Sequence, residues 1–250
     1  MTNQTHWASS SLGWGQAGPP LKPSAGVLKY LVDTIGIDAN ILVLGVTQEY
    51  HRTFNRITAV DCEPTMIERV WLGDTDTKRA ILDNWLTVDL PLHSFDAVIT
   101  DGGINMLYNT DEITTLVSRV KSWLKPNGHF ISRMFTRPDE PYTREYVSTQ
   151  AYNELCWSAY RRLPSMIWAE ENNPFVPHHN TWQAFHELVP DTTVLPYDPS
   201  QVARLEHNRD KTSVCWHPTR DEILKVIPSG EFVDILDYDI AHTCPLLIIR

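Results

Sequence analysis

Three predicted strands of this chain each end in a residue that could contact a polar ligand. The residues are Gly45 after the apolar run 41–44, Asp61 after 57–60, and Asp101 with Gly102 after 95–100. A glycine lets the backbone approach a ligand closely, and a carboxylate such as Asp61 can accept hydrogen bonds from two neighbouring ribose hydroxyls. Ligands of open α/β sheets bind beyond the carboxyl ends of the strands. We therefore predict one ligand site built from these strand ends.

The loop after the first strand indicates what kind of ligand this is. A dinucleotide site needs the spacing GxGxxG, because pyrophosphate must lie against a bare helix N-terminus. Here Gly45 is followed by Val46, Thr47, Gln48 and Glu49. The acidic Glu49 would repel a pyrophosphate. The loop favours a ligand that lacks phosphate and carries positive charge.

Strands and helices alternate along most of the chain. Strands are predicted at 41–44, 57–60, 85–88, 95–100, 129–135, 232–236 and 245–249, and helices at 25–36, after Pro64, at 109–125 and at 220–227. The alternation predicts right-handed βαβ units and a doubly wound α/β fold with a mostly parallel sheet. Residues 136–217 interrupt it, since they contain helical patterns but no convincing strand.

The interrupting segment holds aromatic and histidine side chains, which predict a helical lid with an acceptor pocket. We expect several of its side chains to face the reacting end of the ligand: Tyr142, Tyr146, Trp168, His178, His179 and Trp182. His178 and His179 are candidate general bases, because the pKa of imidazole suits proton transfer near neutral pH. No metal site is expected, since His179 and His186 would lie roughly 10 Å apart along a helix.

Six segments of the sequence resemble the class I S-adenosylmethionine-dependent methyltransferases. They are Val43–Thr47, Ala59–Asp61 with Met66, Asn84-Trp85, Phe95–Gly102, Leu124–Phe130 and Cys244–Ile249. The resemblance implies a Rossmann-like sheet of seven strands whose last strand is antiparallel, with the helical insertion after the fifth strand. It also implies that the cofactor is S-adenosylmethionine.

The resemblance also assigns roles to individual residues. Gly45 and its loop, with Val46 and Thr47, would contact the methionine portion, and Asp61 would hold the ribose. Cys62 and Met66 would flank the adenine, and Asn84 and Trp85 would lie where the family often binds the adenine amino group. Asp101 with Gly102 would lie beside the methionine ammonium and the reacting methyl group. The carbonyl of Asn84 replaces the aspartate that the family often has there, and it can still accept a hydrogen bond.

Charge limits the choice of partner. The chain has 250 residues and a formal net charge of −10, with 31 acidic against 21 basic residues. Nucleic-acid binders normally present a basic face, and the densest basic spot here is Arg161-Arg162. We predict a cytoplasmic enzyme with no nucleic-acid or membrane partner, whose acceptor is a small molecule methylated on oxygen or nitrogen by direct displacement. A non-catalytic binding protein of the same fold and a nicotinamide-dependent oxidoreductase are the alternatives.

Four parts of the chain follow from this interpretation. Residues 1–24 would form an N-terminal cover, 25–135 the cofactor-binding core, 136–217 the lid, and 218–250 the return of the core. The cover is predicted from Trp7 and Trp14, two large aromatic residues in a stretch otherwise rich in Ser, Gly and Pro. We expect Trp14 to lie over the site.

Overall fold

The computed structural model describes residues 14–153 and 155–250. Its strands are β1 Asn40–Leu44, β2 Arg56–Asp61, β3 Lys78–Leu82, β4 Phe95–Asp101, β5 Leu124–Arg133, β6 Phe175–Pro177, β7 Val214–Trp216, β8 Glu231–Val233 and β9 Leu246–Ile249. Its α-helices are α1 Ala25–Ile35, α2 Gln48–Thr53, α3 Pro64–Arg69, α4 Thr110–Trp123, α5 Arg144–Gln150, α6 Trp157–Tyr160, α7 Leu163–Glu171, α8 His178–Leu188, α9 Pro199–Ala203 and α10 Arg220–Val226.

Seven of these strands form one sheet in the order β3-β2-β1-β4-β5-β9-β8. Strands β1 to β5 are parallel, and β9 runs antiparallel to both β5 and β8. Strand order reverses between β1 and β4, which is where doubly wound sheets bind ligands. The predicted fold class, a Rossmann-like and mostly parallel seven-stranded sheet, is confirmed.

Register places the chemically interesting strand ends at one edge. Leu44 pairs with Val60 on one side and with Thr100 on the other. The residues that follow these partners are Gly45, Asp61 and Asp101. Three neighbouring strands therefore deliver these residues side by side.

Apolar clusters cover both faces of the sheet, because the central strands alternate their side chains between two buried surfaces. One cluster includes Leu42, Val98 and Trp123, and the other includes Leu31, Val43 and Ile99. Helix α4, predicted over 109–125, is capped by Asn109, whose Oδ1 accepts a hydrogen bond from the Glu112 amide at 2.9 Å. Within the described residues, every helix is too short or too polar to span a bilayer.

The strand predicted at 85–88 is wrong. Asn84 O accepts hydrogen bonds from the amides of Thr87 and Val88, so this stretch is a turn. The third strand lies earlier, over Lys78–Leu82, and it is a partly exposed edge strand. Its two basic residues and weak apolar alternation hid it from pattern analysis.

The segment 136–217 also contains two short strands that were not predicted. Strands β6 and β7 pair antiparallel, with Val176 opposite Cys215. Each has only three residues, which is too short for a period to show. Helix α8 begins directly after Pro177, which is its N-cap. These helices share a third apolar cluster that includes Tyr160, Leu163 and Phe185.

Candidate functional site

Gly45 opens the site at the end of β1. Its φ of +112° is a conformation that side-chain-bearing residues rarely adopt. A Cβ placed on it would have no heavy atom within 4 Å, so open space lies above the backbone. The two residues that follow are buried: Val46 packs in the core and Thr47 is the N-cap of α2. This loop offers its backbone to a ligand.

A carboxylate oxygen at the start of α2 receives no hydrogen bond from the described residues. Glu49, in the first turn of α2, places Oε1 3.5 Å from Lys22 Nζ. Its Oε2 is buried and receives no hydrogen bond within the part of the chain that the structure describes. A buried acceptor without a donor is costly, and a cationic or N–H-bearing ligand would satisfy it. The chemistry fits the methionine ammonium of S-adenosylmethionine.

Asp61 ends β2 and is almost fully buried, with 8% of its surface exposed. Its Oδ1 accepts a hydrogen bond from the Glu63 amide at 2.9 Å. Burial raises the pKa of Asp61 to about 7, although the hydrogen bond from the Glu63 amide opposes the shift. Cys62 beside it is half-buried, and Met66 in α3 is buried. The residues predicted to hold the ribose and flank the adenine therefore lie together at the end of β2.

The position predicted for Asn84 changes because β3 ends earlier than expected. Asp83 is the first residue after β3, and its amide donates to Asp61 O at 3.1 Å. Asn84 is exposed, and its Oδ1 accepts the Leu86 amide at 2.9 Å. Asp83 was missed, although its place directly after the pair Ile81-Leu82 was a usable signal. The predicted strand at 85–88 began seven residues after the start of the observed strand at Lys78.

Trp85 is held at the same edge by its indole nitrogen, which donates to Val60 O at 2.7 Å. Its ring lies against Gly103: a Cβ there would come within 3.1 Å of the ring and 2.0 Å of Thr100 Oγ1. Gly103 therefore has no room for a side chain. Trp85 forms a wall between the ends of β2 and β4.

Asp101 ends β4 in a buried ion pair. Its Oδ1 lies 2.5 Å from Arg133 Nε, and the side chains are 5% and 0% exposed. Burial raises the pKa of Asp101 and Arg133 opposes that shift, while Asp101 raises the pKa of Arg133. Gly102, at φ +68°, passes so close to Phe135 that a Cβ would meet its ring at 2.6 Å. Asp101 therefore lies at the site already paired with the Arg133 guanidinium.

A cavity of about 190 Å³ lies beside Asp101 and Gly102. Its other walls come from the N-terminal segment and from the segment 136–217. Its lining side chains include Trp14, Leu21, Met106, Phe135, Trp157, Arg161, Arg162, His178, Arg204, His207, Lys211, Cys215 and His217. No group of three or more His, Cys, Asp or Glu side chains placed to hold one metal ion is found among the described residues.

Residues 14–24 cross from the sheet to the helical segment. The Gly18 amide donates to Ser158 Oγ at 3.3 Å, and Arg133 Nη1 donates to Pro20 O at 2.5 Å. Lys22 lies 5.7 Å from the Trp14 ring centroid, and Trp14 lines the cavity. Trp7, the other tryptophan of the predicted cover, lies outside the described residues.

The two histidines predicted as general bases differ in position. His178 lines the cavity, whereas His179 is not among its lining residues and hydrogen-bonds to Lys211 O at 2.9 Å. His178 Nδ1 lies 2.6 Å from Ser213 O. A carbonyl only accepts, so Nδ1 carries the proton and Nε2 is the basic nitrogen. Burial lowers the pKa of His178 to about 4, and Lys211 acts in the same direction.

The aromatic pocket expected in the insertion takes a different form. Of the six side chains expected there, only His178 is found among the described residues that line the cavity. Tyr142 instead stacks on Tyr146 at 5.0 Å and contacts His242, and Trp182 donates to Glu206. The lining aromatics are Trp14, Phe135 and Trp157, and four of the polar lining side chains are cationic.

Comparison with known proteins agrees with this geometry. Residues 44–132 match the family model described as a methyltransferase domain. A search of curated proteins finds no match to this sequence. The match begins at Leu44, the last residue of β1, ends within β5, and contains the strand ends described above, from Gly45 to Gly102.

Several solved structures share the fold at low sequence identity. A Rhodobacter sphaeroides protein, named as a proposed zinc-dependent alcohol dehydrogenase, has a TM-score of 0.63 at 13% identity, with 100% of both chains covered. The Burkholderia thailandensis 1,6-didemethyltoxoflavin-N1-methyltransferase has a TM-score of 0.53 at 14% identity, covering 98% of this chain and 84% of that one. DhpI, in complex with SAM and HEP, has a TM-score of 0.55 at 14% identity, covering 98% and 94%. Likeness at this identity shows the fold alone.

The matched domain, the order of the seven strands and the residues at their carboxyl ends point the same way. Residues 44–132 are similar to the methyltransferase domain, and the whole chain has the Rossmann-like, mostly parallel seven-stranded fold.

Proposed function

We propose that this protein transfers the methyl group of S-adenosylmethionine to an oxygen or nitrogen atom of a small molecule. The observation that carries the proposal is the edge formed by Gly45, Asp61 and Asp101, with a cavity directly beside Asp101. The edge suits a cationic nucleoside, and the cavity has the volume of a small acceptor. Binding and methyl transfer need these two sites side by side.

Residues of the edge suit the parts of the cofactor. The backbone at Gly45 and the unsatisfied Glu49 Oε2 would receive the methionine portion. Asp61 would accept hydrogen bonds from the ribose hydroxyls, and Asp83 after β3 would accept from the adenine amino group. Cys62, Met66 and Trp85 would enclose the base. Three carboxylates at this edge favour a ligand that carries sulfonium and ammonium charges.

Bound S-adenosylmethionine supplies an electrophilic methyl carbon, so that a bond forms from the acceptor atom to that carbon while the carbon–sulfur bond breaks. Phe135 and Trp14 would exclude water from this point, and the cavity walls would hold the acceptor in line. We propose that His178 Nε2 takes the proton that the acceptor releases. Because burial lowers the pKa of His178 to about 4, its imidazole is neutral at pH 7.

A titration with four ligands tests the proposal. S-adenosylmethionine and its demethylated product should bind with similar affinity, because the edge contacts parts that both share. NAD and NADP should not bind, because the loop from Gly45 to Glu49 offers no cradle for a pyrophosphate. Calorimetry gives all four affinities. Tight binding of a nicotinamide cofactor, with none of S-adenosylmethionine, would favour the oxidoreductase alternative.

Removal of residues 1–18 should abolish most methyl transfer while the circular dichroism spectrum stays unchanged. The deletion removes Trp14 from the cavity and the Gly18 contact with Ser158, which opens the site to water. A shorter deletion of residues 1–12 keeps both features and serves as the control. Full activity of the longer deletion would contradict the role of this segment as a cover.

A further inference from the structure

The cavity beside Asp101 carries an unusual charge for so acidic a protein. Four cationic side chains line it: Arg161, Arg162, Arg204 and Lys211. Among the described lining residues, Asp101 is the only carboxylate, and it is already paired with Arg133. The described lining therefore carries more cationic than anionic side chains, although the chain has a net charge of −10.

Arg161 and Arg162 have no carboxylate partner within residues 14–153 and 155–250. Neither takes part in an ion pair there. Arg162 is 5% exposed and donates to Thr243 Oγ1 at 3.0 Å, but its Nε is buried with no hydrogen-bond acceptor. Arg162 is buried and Arg161 is partly buried. Guanidinium groups removed from water are normally paired, so two neighbouring ones without carboxylates favour another source of negative charge.

The cations also act on one another across the cavity. Burial lowers the pKa of Arg161, and the nearby Arg204 adds to the shift. Burial likewise lowers the pKa of Lys211, with Arg161 contributing. Like charges that are partly removed from water repel one another. An anion bound among them would offset both the repulsion and the desolvation.

We propose that the methyl acceptor is a small molecule with an anionic group, a carboxylate or a phosphate monoester, that is bound by Arg161, Arg162, Arg204 and Lys211. A separate O–H or N–H group of the same molecule would receive the methyl group and release its proton to His178. This proposal rests on the proposed function, since it names the class of molecule that the transferase would accept. Guanidinium groups pair with carboxylate or phosphate through two parallel hydrogen bonds, and an ammonium group adds a point charge. The cavity volume of about 190 Å³ limits the ligand to a small molecule.

The two halves of the site are then complementary in charge. Glu49, Asp61 and Asp83 lie on the side that would hold a cationic cofactor, and the arginines lie on the side that would hold an anionic acceptor. Asp101, paired with Arg133, separates them. An anion in the cavity would also raise the pKa of His178, because opposite charge favours the imidazolium form. The acceptor would thereby strengthen its own base.

Binding of three aromatic probes to the protein loaded with the demethylated cofactor tests the inference. The probes are phenyl phosphate, benzoate and benzyl alcohol, which share a ring and differ in charge. At least one of the two anions should bind ten times or more tighter than the neutral alcohol, and which of them binds tighter identifies the phosphate or the carboxylate class. Equal binding of all three would overturn the inference.

Variants then locate the site. Arg161→Met should weaken binding of the preferred anion at least tenfold while leaving the affinity for the demethylated cofactor unchanged. Arg209→Met removes an exposed cation of the same segment that does not line the cavity, and it should change neither affinity. Unchanged anion binding in a folded Arg161→Met protein would overturn the inference.

Two further measurements keep the outcomes separate. If Arg161→Met does not fold, Lys211→Met makes the same test, and the comparison of charged with neutral probes needs no variant at all. If the wild type fails to bind the demethylated cofactor, the proposed function fails. The probes are then compared on the ligand-free protein, so the charge of the cavity is tested independently.

Discussion

Replacing Asp61 with alanine should weaken binding of S-adenosylmethionine by roughly ten- to a hundredfold. The carboxylate would accept two hydrogen bonds from the ribose, and charge-assisted hydrogen bonds are worth about 1.5–3 kcal/mol. Asp61 is buried at the end of β2, directly beside the open backbone of Gly45. Calorimetric titration of wild type and variant measures the loss.

The pH dependence of binding makes this test more specific. Burial raises the pKa of Asp61 to about 7, and only the ionised carboxylate accepts from both hydroxyls. As pH falls below 7 the group takes up a proton, so the affinity should fall by about tenfold for each unit. Above pH 7 the affinity should be constant. Asp61→Asn should lose this dependence, because an amide does not titrate.

A matched control separates Asp61 from a general loss of negative charge. Asp76 is exposed in the loop that precedes β3, at the opposite edge of the sheet. Asp76→Ala should bind the cofactor as tightly as the wild type. Equal affinity of Asp61→Ala and wild type would show that the ribose is held elsewhere.

Replacing Arg133 with methionine should lower the free energy of unfolding by about 3–5 kcal/mol. The change leaves Asp101 buried without its partner, and removing one member of a buried ion pair leaves the other charge uncompensated. It also removes the hydrogen bond to Pro20 O that ties residues 14–24 to the sheet. Urea unfolding followed by circular dichroism measures the change.

Two further variants test the cause of this loss. Adding Asp101→Asn to Arg133→Met removes the uncompensated charge and should recover part of the lost stability. Arg250→Met disrupts an exposed pair with Glu231 at 3.8 Å and should cost less than about 1 kcal/mol. If Arg133→Met were no more harmful than Arg250→Met, the buried pair would not be a structural tie.

The strand ends could be predicted from the sequence because local physics determines them. A central parallel strand is a short apolar run, and a glycine or carboxylate marks the point where it leaves the core, as at Gly45, Asp61 and Asp101. The edge strand β3 was not predicted, because Lys78 and Arg79 are partly exposed and the strand lacks a continuous apolar run. Asp83 was not predicted as a site residue for the same reason, since its place at the site depends on where β3 ends.

The cationic cavity could not be read in the same way. Arg161 and Arg162 are adjacent in the sequence, but Arg204 and Lys211 lie about forty and fifty residues later. Only the packing of the segment 136–217 against the sheet brings them together. The net charge of the chain suggested acidic surroundings, but an overall excess of acidic residues does not determine the charge of one cavity. The aromatic residues of that segment mostly pack against one another instead.

Transfer of an isotopically labelled methyl group tests the central claim most directly. The protein is incubated with methyl-labelled S-adenosylmethionine and a pool of cellular small molecules, and products are resolved by mass spectrometry. A labelled small molecule should form with the wild type, together with demethylated cofactor, and should be lost in Asp61→Ala. Binding of the cofactor by the wild type with no labelled product from any pool would contradict enzymatic methyl transfer and favour a non-catalytic binding protein.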